Sequence, residues 1–67
     1  MIWVEVDARG LRCPWPALRL ARAFRQGARN VRLRADDPAA PREIAALAAE
    51  RGWRLIRDGE DFLVEAG

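Results

Sequence analysis

The chain has no histidine and only one cysteine among its 67 residues. A lone cysteine cannot close an intramolecular disulfide, and without histidine a zinc site has too few ligands, so neither a metal nor a cofactor is expected. The same gaps leave a stand-alone thiol hydrolase or peroxidase without its parts: there is no Cys-His dyad and no second thiol to resolve an oxidised first one. Lysine is missing too, since all 12 basic residues are arginine, and they stand against 10 acids for a formal net charge of +2. No apolar run is long enough to span a bilayer, no stretch is Ser/Gly-rich, and no repeat recurs. The opening MIWVEV lacks the basic and apolar regions of a secretory signal. A free thiol and no signal segment read as a cytoplasmic protein with no membrane insertion.

What is present is strongly patterned. Residues 1–67 make one domain, which on folding buries only roughly 60% of the surface its unfolded chain exposes and so has no room for an enclosed active site. Ile2, Val4 and Val6 alternate with Trp3, Glu5 and Asp7, the period of a half-buried strand starting at the N-terminus. From Pro14 to about Gln26, Ala17, Leu20, Ala21 and Phe24 form one helical stripe and Arg19, Arg22, Arg25 and Gln26 the other, with a stop near Gly27. Val31, Leu33 and Ala35 alternate with Arg32 and Arg34 in a second strand, which Asp36-Asp37-Pro38 ends. A second helix is predicted from about Pro41 to Arg51, with Glu43 near its positive end, Ile44, Leu47 and Ala48 facing inward, and Gly52 after it. Trp53 to Arg57 and Glu60 or Asp61 to Glu65 flank the turn dipeptide Asp58-Gly59 and predict a closing hairpin.

The order βαβαββ predicts an α+β fold. A right-handed crossover makes the first two strands parallel, the hairpin adds antiparallel pairing, and both helices pack on one face of a four-stranded mixed sheet in a two-layer sandwich. The expected core joins Val4, Val6, Leu20, Phe24, Val31, Leu33, Ile44, Leu47, Trp53 and Leu55. The opposite face then carries Trp3, Glu5, Arg32, Arg34 and Arg54, either as a binding surface or as cross-strand ion pairs in water. Arginine forks suit phosphate, so the alternative function is a small nucleic-acid-binding or regulatory interaction module using the Arg-rich surface. No helix-turn-helix, RNP or zinc signature accompanies the charge, and no stable nucleic-acid binding is expected.

The one cysteine lies in RGLRCPWP, residues 9–16. With Cys13 as N-cap of the first helix, Pro14 and Pro16 fall where backbone N–H groups lack helical partners, and the Trp15 N–H faces the sulfur. The helix dipole and Arg12 then favour thiolate, so a lowered pKa and a nucleophilic Cys13 are expected. Cysteine is a poor cap, so the position is chosen for its sulfur rather than for capping. Trp15 beside it either anchors a partner or packs onto the fold.

DARGLRCPWPAL, followed after a gap by RADDPAAPREI, resembles the TusA-type (SirA-like) sulfur-carrier family. The family's CPxP motif falls on Cys13, Pro14, Trp15 and Pro16, its Gly-Leu on Gly10 and Leu11, and its acidic-proline segment on Asp36, Asp37 and Pro38. The position between the prolines, often acidic in members serving tRNA thiolation, is Trp15 here. The resemblance implies the same two-layer βαβαββ fold and a sulfur carrier holding sulfane sulfur as a persulfide on Cys13. It implies a donor of the cysteine desulfurase or rhodanese type and a sulfur-acceptor protein, so the chain is a non-autonomous sulfurtransferase rather than a stand-alone enzyme. Arg12, Pro14, Trp15 and Pro16 are the expected supporting residues.

Overall fold

The computed structural model describes residues 2–67. The stripes become β1 (Val4–Asp7), α1 (Trp15–Arg25), β2 (Asn30–Arg34), α2 (Ala40–Arg51), β3 (Arg54–Asp58) and β4 (Asp61–Glu65). In the sheet the order is β1-β2-β4-β3. β1 runs parallel to β2, with Val4 opposite Val31 and Val6 opposite Leu33. β4 is antiparallel to both its neighbours, with Phe62 opposite Leu33 and Arg57, and Val64 opposite Val31 and Leu55.

Because side chains alternate along each strand, Val31, Leu33, Phe62 and Val64 share one sheet face, where they pack in one buried cluster with Leu20 of α1 and Ile44 of α2. Val6, Phe24, Leu47, Trp53 and Leu55 are half-buried against that cluster, and the Phe24 and Trp53 rings stack with centroids 4.1 Å apart. The α+β two-layer sandwich, its mixed sheet and the parallel first pair are therefore as the sequence predicts. Among the described residues no helix is long and apolar enough to cross a membrane.

Four expectations need correction. The expected strand start at the N-terminus falls on Met1, outside the described residues, and on Ile2 and Trp3, which precede β1 and are both exposed. Val4 is 39% exposed, because β1 is an edge strand, so it does not join the core. Phe62 and Val64, left out of the expected core, are its centre, because β4 inserts between β2 and β3. The hairpin loop also sits one residue later than expected. Asp58 pairs with Asp61, and Gly59-Glu60 makes the turn with a positive φ of 62° at Gly59, where glycine avoids the strain a side chain would bring.

On the uncovered sheet face the arginines are engaged. Arg32 reaches Asp61 at 2.6 Å and Asp58 at 3.0 Å, Arg34 lies 3.6 Å from Asp61, and Arg54 lies 3.9 Å from Glu65. This is the cross-strand ion-pair arrangement, with Trp3 and Ile56 exposed beside it.

Candidate functional site

The loop between β1 and α1 presents the cysteine, and its shape is set by short hydrogen bonds. The Ala8 N–H donates to the Arg34 carbonyl at 2.7 Å, prolonging the β1–β2 contact. Asp7 accepts from the Arg9 backbone and guanidinium, and these contacts hold its carboxyl well below the usual carboxylate range. Gly10, with φ of 84°, turns the chain and donates its N–H to Asp36 Oδ1 at 2.9 Å. That bond ties the cysteine loop to the Asp36-Asp37-Pro38 segment leading into α2. Asp37 in turn accepts from the Ala39 N–H at 2.9 Å through its side chain and from the Ala40 N–H at 2.9 Å through its carbonyl, setting the start of α2. The two sequence segments that carry the family resemblance are thus in contact.

The start of α1 differs from the sequence expectation. Pro14, not Cys13, holds the N-cap position, and its side chain makes no capping bond. The Trp15 N–H donates to the Arg12 carbonyl at 2.8 Å, closing a turn over residues 12–15, so the donor expected to face sulfur is already satisfied. Released from capping, the exposed Cys13 Sγ donates instead to Glu43 Oε1 at 2.8 Å.

This contact reverses the expected electrostatics. The hydrogen bond to Glu43 raises the Cys13 pKa, followed by partial desolvation and the negative charges of Glu43 and Asp37; the cation acting in the other direction is Arg42 rather than Arg12. A bond from S–H to a carboxylate stabilises the thiol, so the resting sulfur is protonated at neutral pH.

The remaining predicted residues divide by exposure. Arg12 is exposed and contributes its carbonyl to the turn. Pro14 is exposed, while Pro16 is fully buried and fixes the first turn of α1 against the core. Trp15 is 57% exposed, and Leu18, one turn further, is 48% exposed, so the indole faces outward rather than into the core. Glu43 was not predicted as a site residue. Its signal lay in the second resembling segment, RADDPAAPREI, where it read only as a favourable charge near the positive end of a helix. Chemically, the arrangement is an accessible sulfur with a carboxylate in hydrogen-bond contact.

Residues 4–64 match the family model described as Sulfurtransferase TusA. The structure is similar to the crystal structure of a SirA-like protein from Desulfitobacterium hafniense, with a TM-score of 0.71 and 22% identity, over 91% of this chain and 90% of that one. At that identity the likeness speaks for the fold. No curated protein is significantly similar in sequence.

Proposed function

The chain belongs to the TusA sulfurtransferase family, which makes sulfur relay between proteins its role, and we propose that it performs this role by carrying sulfane sulfur as a persulfide on Cys13. The observation that carries the reading is the placement of the only cysteine, exposed on a loop that Gly10 ties to Asp36. A carrier needs a sulfur that two different proteins can reach in turn, and an exposed loop provides that.

In the loading step the Cys13 sulfur attacks the outer sulfur of a donor persulfide. A new S–S bond forms at Cys13 as the donor's S–S bond breaks, and the donor leaves as a thiolate that regains the proton Cys13 gave up. Cys13 persulfide and donor thiol result, with no net oxidation and no cofactor. Unloading repeats the displacement toward an acceptor thiol or other nucleophile. A donor of the cysteine desulfurase or rhodanese type supplies the persulfide, and selectivity comes from docking, for which Trp15 and the exposed arginines Arg9 and Arg12 are available. Residues 1–67 act as a single carrier domain, and the reduced state of its thiol suits the cytoplasm.

The arginines do not support the nucleic-acid alternative, since those on the uncovered sheet face are within ion-pair distance of Asp58, Asp61 and Glu65. Incubation with a sulfane-sulfur donor should add the mass of one sulfur atom, and Cys13→Ser should abolish that gain while leaving the circular dichroism spectrum intact. Absence of any gain in the wild-type protein with several unrelated donors would refute the carrier reading.

A further inference from the structure

We propose that Glu43 is a catalytic residue of sulfur transfer, taking the proton from the Cys13 thiol as the sulfur attacks and returning it to the departing donor thiolate. The inference rests on the carrier reading and adds to it the group that handles the proton. Glu43 Oε1 accepts from Sγ at 2.8 Å, within reach for direct proton transfer. Glu43 lies in the first turn of α2, a rigid element, and its backbone N–H donates to the Ala39 carbonyl at 3.1 Å. It is half-buried while the thiol is exposed, so it approaches from the protein side and leaves the outer side of the sulfur open to a donor.

The charged groups around the sulfur give this carboxylate two opposite effects. Asp37 from the loop before α2 and Glu43 from α2 disfavour the free thiolate, and Arg42 offsets them in part. In the unoccupied protein the sulfur is therefore held as a thiol, slow to react with an alkylating agent. When a donor covers the site, water is displaced and the Glu43 carboxylate is the base left in hydrogen-bond contact with the thiol. The proton then moves to Oε1 as the Cys13 S–S bond forms and the donor S–S bond breaks. Protonated Glu43 delivers it to the donor thiolate, leaving Cys13–S–SH, donor thiol and the original carboxylate. Every atom and charge is accounted for, and no oxidant or reductant is consumed.

A carboxylate that merely suppressed the thiolate would slow alkylation and sulfur transfer alike. One that carries the proton must slow the first and speed the second. The test is Glu43→Gln, which keeps the shape and removes the base, assayed with two reagents on the full chain. With iodoacetamide, wild-type Cys13 should reach half its maximal rate at a higher pH than a cysteine in an unstructured peptide, and the variant at a lower pH than wild type. With glutathione persulfide in single turnover at pH 7, the variant should load sulfur at least about a hundredfold more slowly, the low end of the range for a lost general base. Its transfer rate should track its thiolate titration, whereas wild type should remain active below its own alkylation midpoint. If the variant loads sulfur as fast as wild type or faster, the proposal is overturned and Glu43 only restrains the thiol. If wild-type protein takes up no sulfur at all, the carrier reading falls first, and this inference with it.

Discussion

Replacing Phe62 by alanine tests the strand order on which the site depends. Phe62 is 1% exposed and lies between Leu33 on β2 and Arg57 on β3. The Arg57 guanidinium sits 4.2 Å from its ring centroid. Removing a buried phenyl ring costs about 3–5 kcal/mol, and the lost cation–π contact adds about 0.5–1 kcal/mol. At roughly 0.05–0.15 kcal/mol per residue, a chain of this size has about 3–10 kcal/mol in total. Phe62→Ala should therefore leave much of the population unfolded at 25 °C. Phe62→Leu, which keeps most of the apolar bulk, should fold with a loss of about 1–2 kcal/mol. Val4→Ala, on the edge strand and 39% exposed, should cost less than about 1 kcal/mol. Urea melts followed by tryptophan fluorescence and far-UV circular dichroism give the three values, with Trp53 reporting on the core through its stack on Phe24. If Val4→Ala proves as damaging as Phe62→Leu, or Phe62→Ala costs under about 1.5 kcal/mol, β4 is not the central strand.

Gly10→Ala meets no heavy atom within 4 Å of an added Cβ, so its whole cost is the strain of φ +84°, about 1–2 kcal/mol. Either the melts show that loss, or the loop relaxes, the bond to Asp36 breaks and the alkylation profile of Cys13 changes; a variant identical to wild type in both measurements would refute the account of the loop. Trp15→Ala should leave stability within about 0.5 kcal/mol of wild type, since the indole faces outward. With a protein donor it should load sulfur more slowly while loading from glutathione persulfide is unchanged, and equal loss with both would exclude a docking role.

The fold was readable wherever one face of an element repeats. Leu20 and Phe24 on α1, Ile44 on α2 and the alternation of Val31 and Leu33 each announce their element and its buried side. What periodicity does not carry is which strand lies next to which. Phe62 and Val64 alternate with Asp61, Leu63 and Glu65 as an edge strand's residues would, and only the insertion of β4 between β2 and β3 makes them the centre of the core. Cys13 was legible from its isolation and its prolines, but its chemical state was not. Local reasoning weighed Arg12 and the helix end, which are close in sequence, and missed Glu43, which is 30 residues away and meets the sulfur only through the tertiary fold. The short turn that gives the Trp15 N–H to Arg12 was likewise invisible to a capping pattern.

The central position of β4 also orders events in time. During synthesis β1, both helices and β2 emerge before β4, and the inner face of β2 stays half covered until Phe62 and Val64 arrive beside it. Asp36, Asp37 and Glu43, which shape the surroundings of Cys13, lie on the segment that follows β2, so their placement leans on a strand that β1 and β4 flank. The surroundings of the thiol thus depend on the last strand of the chain as well as on its own loop.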